Sequence, residues 1–258
     1  MSWQGDELAV VTGGSSGLGR ALARELASIG LQVLAVGRRA DALAETAAPN
    51  AERIQAVTAD VGDPEGRARV VEAARGSPVR TVIHNAGVLE PVGPLRDVDV
   101  ATWRHAMAVN LEAPVFLTQG LLPLMAAGSR VLHISSGAAH QPSQGWGAYC
   151  ASKAALYMVY QVYREELSQD GVLVGSVRPG VVDTPMQAHI RGQTPDRFPS
   201  VERFVKLKEN GQLHAPEDVA DFIRWVLFQT GDRQFTEQEW NIGDAEHYRR
   251  WRDSRRRD

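Results

Sequence analysis

The sequence has few cysteines and no long apolar run, and each shortage excludes a class of protein. Cys150 is the only cysteine, which excludes an internal disulfide and a metal site built from thiolates. Nowhere do about eighteen apolar residues occur together, and no basic segment followed by an apolar run opens the chain. We therefore expect a cytoplasmic protein that is neither secreted nor inserted in a membrane.

An excess of charge of one sign is also missing. The 28 lysines and arginines nearly balance the 31 aspartates and glutamates, for a formal net charge of −3. No polyanionic partner such as nucleic acid is expected from this balance. Residues 246–258 are basic and aromatic, but aspartates interrupt the charge. We interpret this segment as a solvated or subunit-contacting tail.

Strand-like and helix-like patterns alternate along the chain. Helical spacing of apolar residues separates the strand candidates, with long helical patterns over residues 100–125 and 148–167. Continuous apolar strands between helices predict an α/β fold with a doubly wound parallel sheet, the Rossmann fold, as a single domain over residues 1–245. The predicted strands are residues 8–12, 31–36, 54–57, 79–84, 131–135 and 172–177.

A glycine-rich turn follows the first predicted strand and opens the first helix. Gly13, Gly17 and Gly19 remove side-chain obstruction there. Backbone N–H groups and the helix N-terminus can then meet a pyrophosphate. The turn therefore predicts a dinucleotide ligand.

The end of the second predicted strand indicates which dinucleotide. NAD enzymes usually place an acidic residue there for the ribose diol, whereas this strand is followed by Arg38 and Arg39. Two guanidinium groups suit a 2′-phosphate, so we predict NADP(H) as the cofactor. The Ser15 hydroxyl could add a contact, and the pattern leaves open which of the three residues sets the preference.

Tyr149 and Lys153 stand four residues apart in a predicted helix, thirteen residues after Ser136. Residues at i and i+4 share one helix face, so the phenol and the ammonium can enter one pocket. A nearby cation favours phenolate and moves the tyrosine pKa, normally near ~10, toward the neutral range. We predict acid/base catalysis by Tyr149, with Ser136 holding the substrate oxygen.

Other polar residues near these positions are weaker candidates. Ser135 could replace Ser136, but alternation along the strand would turn it away from the pocket. His133 lies in an apolar strand and is interpreted as a packing residue, whereas His140 could line the substrate space. Neither histidine has the spacing of a metal ligand, and we predict no metal.

From residue 8 to residue 244 the sequence resembles the short-chain dehydrogenase/reductase family. The resemblance implies that Asn110 completes a catalytic tetrad and anchors a water in the proton relay, while Lys153 also binds the nicotinamide ribose. The family has a second asparagine in many members where this chain has His84, which we interpret as structural. The other residues that the resemblance assigns to the cofactor are Ser16 and Leu18 in the turn, Asp60 and Val61, Asn85, Ala86 and Gly87, and the loop residues Pro179, Gly180, Val182 and Thr184.

The second half of the sequence is similar to the sepiapterin reductase branch of that family, which includes benzil reductases. The resemblance implies NADPH-dependent reduction of a ketone, and an aromatic or vicinal diketone is the first expectation. Pterin reduction is the alternative. Pterin enzymes use an acidic residue near the C-terminus, where this chain has Asn241, or Asp244 after a short shift. An amide cannot supply the charged acceptor that a pterin prefers.

Residues 186–213 follow the loop on the nicotinamide side and are predicted to form a substrate lid. Trp146 and Met186 are the predicted substrate contacts, with Phe198 and Phe204 as further apolar candidates. Any of these side chains could instead belong to the core.

Two questions remain open at this stage. Family members commonly pair through the helices that correspond to residues 100–125 and 148–167, so the resemblance implies a homodimer. Some Rossmann proteins bind NADP(H) as sensors without catalysing a reaction, although such proteins often lose the tyrosine or the lysine that this chain retains.

Overall fold

In the computed structural model, which describes residues 7–256, seven parallel strands form one sheet. The spatial order is β3-β2-β1-β4-β5-β6-β7. The strands are β1 (Leu8–Thr12), β2 (Gln32–Gly37), β3 (Ile54–Thr58), β4 (Val79–His84), β5 (Arg130–Ile134), β6 (Leu173–Arg178) and β7 (Glu239–Asn241).

Helices cover both faces of this sheet. Successive β1 residues alternate between two apolar clusters, because neighbouring side chains of a strand point to opposite faces. The helices α1, α9, α10 and α11 pack on one face, and α3, α5 and α6 pack on the other. The helices are α1 (Gly17–Ser28), α2 (Ala40–Ala47), α3 (Pro64–Ala74), α4 (Val100–Met107), α5 (Ala113–Leu121), α6 (Gly147–Glu166), α7 (Pro185–Arg191), α8 (Val201–Glu209), α9 (Pro216–Phe228), α10 (Asp232–Glu237) and α11 (Ala245–Ser254).

The direction of winding reverses at β1, which lies between β2 and β4. Loops that leave β1 and β4 therefore turn to opposite faces and open a crevice at the carboxyl edge of the sheet. The turn after β1 and the loops after β4 and β5 all meet at this edge. The topology thus places the candidate site before any side chain is considered.

The predicted doubly wound α/β fold is confirmed, and the six predicted strands agree with the observed ones to within one residue at each end. Strand β7 was not predicted. It has only three residues, too few to show the alternation that identifies a strand. Its central Trp240 is fully buried, and β7 pairs with β6 in parallel register.

The segment expected to be a solvated tail differs from that expectation. Residues from Ala245 to Ser254 form helix α11, which begins at an Asp244 side chain that accepts the Glu246 and His247 N–H groups. Trp251 is buried, packs edge-on against Phe222 and donates from Nε1 to Asp221. One face of α11 packs on α9 through Trp251, and the arginines of the segment suit the other face, which stays in solvent.

None of the helices between residues 7 and 256 combines the length and apolar character that crossing a bilayer requires.

Replacement of Trp251 by alanine tests whether α11 belongs to the fold. We expect the free energy of unfolding to fall by about 3–5 kcal/mol, because removal of the indole leaves a cavity against α9 and breaks the hydrogen bond to Asp221. The matched control is Tyr248→Ala on the same helix, a residue that is 42% exposed, and its cost should stay below about 1 kcal/mol. Urea unfolding measures both. If both variants lost a similarly small free energy of unfolding, the packing of α11 on the rest of the fold would be contradicted.

Candidate active site

The glycine-rich turn after β1 is a cradle without room for side chains. A Cβ on Gly19 would lie 2.2 Å from the Gly13 carbonyl oxygen. Gly17 has φ +53°, a conformation that favours glycine, and a Cβ there would lie 2.9 Å from Thr184 Cγ2. The predicted turn residues and the predicted loop residue Thr184 are therefore brought together.

The first turn of α1 is open to an anion. Ser16 is its N-cap residue in extended conformation and makes no side-chain cap bond, and no acidic residue follows in the first turn. The N–H groups that open the helix consequently keep their capacity to bind a ligand oxygen. This is the arrangement that a pyrophosphate requires.

Arg38 and Arg39 lie beside this turn, at the carboxyl end of β2. Arg39 donates to the Ser16 hydroxyl at 3.1 Å, and Arg38 lies 3.7 Å from the Asp60 carboxylate with its side chain 60% exposed. Ser15 is buried, and a Cβ on Gly37 would lie only 2.4 Å from the Ser15 hydroxyl oxygen. Both arginines can therefore reach a phosphate held at the edge of β2.

Asp60 and the loop after β4 form the next part of the crevice. The Asp60 carboxylate accepts the Gly62 N–H at 2.9 Å, and the neighbouring Val61 is buried. The Thr12 hydroxyl accepts the N–H groups of Asn85 and Ala86, both at 3.0 Å. These bonds tie the loop after β4 to the end of β1.

Gly87 lies where this loop meets the catalytic candidates. A Cβ there would lie 3.5 Å from Asn110 Oδ1 and 3.9 Å from Lys153 Nζ. Three predicted site residues from β4, the α4–α5 region and α6 therefore converge on one position.

Asn110 lies in a π-helical turn, Ala108–Glu112, between α4 and α5. Pro114, four residues on, has no N–H for the Asn110 carbonyl and its ring crowds that oxygen, which explains the local widening of the helix. The Asn110 side chain is fully engaged with Val88 N–H at 2.8 Å, Val88 O at 2.9 Å and the Ser152 hydroxyl at 3.0 Å. Its side chain thus braces two elements, and the predicted role of Asn110 in anchoring a water stays a prediction.

Tyr149, Ser136 and Lys153 meet at the end of β5. The Ser136 hydroxyl lies close enough to the Tyr149 phenol to lower its pKa, and it accepts the Ala138 N–H at 3.2 Å. Lys153 Nζ donates to the Ile134 carbonyl at 2.8 Å and lies 5.8 Å from the centre of the Tyr149 ring. Ser135 is buried, and its hydroxyl has no partner in the part of the chain that the structure describes.

The electrostatics of this trio differ from the sequence-based expectation. Burial raises the pKa of Tyr149, and the Ser136 hydrogen bond opposes that rise. Burial lowers the pKa of Lys153 to about 8. In the protein by itself the pKa of Tyr149 is therefore raised rather than lowered as predicted, because burial has the largest effect. A phenol that stays protonated at neutral pH is suited to donate a proton.

Two histidines occupy the buried sheet face beneath α5 and α6. His84 Nε2 lies 2.8 Å from the Thr118 hydroxyl, and burial lowers the pKa of His84 to about 3. Burial also lowers the pKa of His133 well below its usual value, and the two rings lie 5.1 Å apart. Both therefore remain neutral and pack in the core, as expected from the apolar strands that carry them.

The loop after β6 is shaped by a partner that the sequence did not reveal. Gly180 follows Pro179 with φ +71°, and a Cβ on it would lie 2.8 Å from the ring of His214. Val182 pairs with His214 as an isolated parallel bridge. Thr184 caps α7 by accepting the Gln187 N–H at 3.3 Å. No local pattern around residue 214 indicates this role.

The predicted lid contains α7 and α8 and closes over an aromatic cluster. Trp146 stacks on Phe198 at 4.5 Å with rings 3° from parallel, and it contacts Tyr149 edge-on at 5.8 Å. Phe204 packs on both rings, and Met186 lies partly buried at the edge of the cluster. The predicted apolar contacts are thus gathered beside Tyr149, with Phe198 and Phe204 in packed rather than exposed positions.

The side-chain oxygen of Asn241 is used within its own turn. This oxygen accepts the Gly243 N–H at 3.0 Å, and the backbone N–H of Asn241 donates to His247 Nδ1 at 3.1 Å. Asp244 is used as the cap of α11. Across residues 7–256, histidines, cysteines and acidic residues form no group of three that could hold a metal ion.

Comparison with known proteins identifies the lineage of this site. Residues 7–195 match the family model described as short chain dehydrogenase. The chain belongs to the short-chain dehydrogenase family. Within that family it is 35% identical to a benzil reductase ((S)-benzoin forming) of Bacillus cereus, over 84% of this chain and 92% of the relative.

Solved structures of short-chain dehydrogenases share its architecture. The KRED1-Pglu enzyme superposes with a TM-score of 0.84 at 33% identity, covering 90% of this chain and 99% of that one. The angucycline C-6 ketoreductase LanV, solved with bound NADP, gives a TM-score of 0.77 at 29% identity and covers 91% and 93% of the two chains. The fold of this short-chain dehydrogenase is therefore shared along nearly its full length.

The buried histidines predict an acid-sensitive stability. The folded-state pKa of His84 lies below its unfolded value, so the unfolded chain binds the extra proton between pH 6.5 and about 3, and stability is lost as the pH falls. We expect His84→Asn to make the fall in the free energy of unfolding shallower by up to about 1.4 kcal/mol per pH unit. Urea titrations from pH 6.5 to 4.5 measure the slope. His105→Asn, at an exposed position, is the control, and an unchanged slope for His84→Asn would contradict the assignment.

Proposed function

We propose that this protein is an NADPH-dependent carbonyl reductase that transfers hydride to a ketone. The observation that carries the proposal is the contact of Ser136 with the Tyr149 phenol, beside buried Lys153 and next to the glycine cradle. A proton donor, an oxygen-binding hydroxyl and a pyrophosphate-sized turn at one sheet edge are the parts that such a reaction needs.

The residues of the crevice fit a dinucleotide phosphate. Gly13, Gly17 and Gly19 leave the backbone of the turn open, and the uncapped start of α1 faces the same space. Arg38 and Arg39 would hold the 2′-phosphate, and Asp60 would lie at the adenine. NADP in the structure of LanV supports this choice. When bound, NADPH supplies the two electrons of the reduction as hydride.

The chain's own residues supply the proton and the orientation. Ser136 would hold the carbonyl oxygen, and Tyr149 would donate its phenolic proton to that oxygen as the alcohol forms. The raised pKa of Tyr149 keeps this proton in place at neutral pH. Lys153, fixed to the Ile134 carbonyl, provides positive charge that stabilises the resulting phenolate.

An aromatic or vicinal diketone is the proposed substrate, reduced to a hydroxyketone. The aromatic cluster of Trp146, Phe198 and Phe204 lies beside Tyr149 and offers flat apolar surface to an aryl group. The benzil reductase of Bacillus cereus supports the same class. A pterin is disfavoured because Asp244 caps α11 and Asn241 is bound to its own turn.

We further propose a cytoplasmic homodimer. Phe116 on α5 and Met158 and Val162 on α6 are large apolar side chains that are 45–57% exposed. Exposed apolar side chains on two neighbouring helices are typical of a surface that pairs with another copy.

The function is tested by NADPH oxidation with benzil, a small aliphatic diketone and sepiapterin. We expect benzil to be reduced fastest. Tyr149→Phe should lower kcat by at least about 10²-fold while the Kd for NADPH stays within twofold, because the phenolic proton serves only the chemical step. Full activity in this variant would contradict the mechanism. A preference for sepiapterin would favour the pterin alternative, and NADPH binding without turnover of any carbonyl would favour a sensor.

The cofactor preference is tested by Arg38→Asp. We expect weaker binding of NADPH and stronger binding of NADH, since a carboxylate repels the 2′-phosphate and accepts from a free ribose diol. Fluorescence titration with both cofactors measures the change. Arg53→Asp removes a guanidinium that instead bonds the Gly30 carbonyl, away from the crevice, and serves as the charge-matched control. If NADPH preference survives in Arg38→Asp, Arg39 or Ser15 carries it.

A further inference from the structure

A buried carboxylate lies behind the catalytic loop and takes no part in the mechanism above. Glu239 opens β7, and its side chain is only 6% exposed. One carboxylate oxygen accepts the Ser176 hydroxyl at 3.0 Å. The other lies 2.7 Å from His140 Nε2 and 3.0 Å from Arg178 Nε, the latter an ion pair whose N–H is not directed at the oxygen.

Alternation along the strands places these groups on the face that carries α6. Trp240 belongs to the cluster on the α1 and α9 face, so Glu239 points to the opposite face. Ser176 pairs with Glu239 in the register of β6 and β7. The carboxylate is therefore enclosed between the edge of the sheet and α6.

His140 connects this carboxylate to the loop that joins Ser136 to α6. The loop spans residues 137–146, and His140 lies four residues after Ser136. Its ring packs edge-on against Tyr157 at 4.6 Å, and Tyr157 stands one turn after Lys153 on the same face of α6. The loop is thus held at His140 by a residue 99 positions away in sequence.

The opposite end of the loop has its own anchor. Gly93 N–H donates to the Gly145 carbonyl at 2.8 Å. Between the two anchors the loop turns from β5 into α6. The position of the Ser136 hydroxyl relative to Tyr149 therefore depends on the anchors at His140 and Gly145 as well as on the bond from Lys153 to the Ile134 carbonyl.

We propose that Glu239, acting through His140, is a positioning residue that keeps the Ser136 hydroxyl beside the Tyr149 phenol. The inference rests on the proposed reductase function for its kinetic effect, but the contact itself belongs to the protein alone. Enclosed by Ser176, Arg178 and His140, the carboxylate holds the loop rather than the substrate.

Breaking this contact has a definite physical consequence. Glu239→Gln keeps the shape of the side chain but removes its charge and replaces one acceptor oxygen with a donor, which removes the counter-ion of Arg178 and weakens the contact with His140. A shift of the loop by about 1 Å displaces the Ser136 hydroxyl, and misplacement of that size can cost up to about 10²-fold in rate. Cofactor binding at the glycine turn is untouched because none of its residues contacts Glu239.

Kinetics of Glu239→Gln and His140→Asn provide the first test. Each variant is expected to lower kcat between about 10-fold and 100-fold, with the Kd for NADPH unchanged within twofold. The double variant should lose no more than the worse single variant, because both changes break one contact. Glu237→Gln, an exposed glutamate two residues away that pairs with Arg233, is the matched control and should keep full activity. Additive losses, or losses that track thermal stability, would overturn the proposal.

Spectroscopy provides a second test that needs no turnover. In protein labelled with ¹³C at tyrosine Cζ, the Tyr149 signal is assigned with Tyr149→Phe and titrated with pH. The Ser136 hydrogen bond lowers the pKa of Tyr149, so Glu239→Gln should raise it further, whereas Glu237→Gln should not. An unchanged Tyr149 titration in Glu239→Gln would refute the positioning role. If the wild-type protein reduced no carbonyl, the reductase proposal would fail while this titration still decided the inference.

Discussion

The hydrogen bond from the Lys153 ammonium to the Ile134 carbonyl ties helix α6 to the end of strand β5. An ammonium that is buried costs free energy unless it is hydrogen-bonded, so the contact fixes both the helix and the strand. With α6 held there, Tyr149 comes to rest against Ser136 at the strand end. The site depends on this junction more than on any single catalytic side chain.

Burial is the common cause of the unusual electrostatics around the junction. It raises the pKa of Tyr149 and lowers that of Lys153 to about 8, and it keeps His84 and His133 neutral beneath them. Because the two histidines stay neutral and the Tyr149 phenol stays protonated, Tyr149 can donate a proton at neutral pH. This balance suits the proton-donating step of the proposed carbonyl reduction.

Much of the fold and of the candidate site was predictable because the signals are local. Apolar runs, glycines at a strand-to-helix turn and two residues at helical spacing each depend on a few neighbours in sequence. The features that were not predicted carry weak local signals or depend on residues far away in the sequence. Strand β7 is too short to show a period, and α11 reads as a basic tail because only Trp251 and its neighbours mark the docked face. The roles of Ser152, His214 and Glu239 depend on partners 32 to 99 residues away.

By itself the sequence determined the doubly wound sheet, the glycine cradle with two arginines beyond it, and the pairing of Tyr149 with Lys153, because periodicity and short spacings encode these features. Only the tertiary structure decided how the groups act. It engages the Asn110 amide inside the protein, gathers Trp146 and Phe198 into a stack, and holds His140 from β7. Burial and long-range contacts set these properties, and both arise only when distant segments pack together.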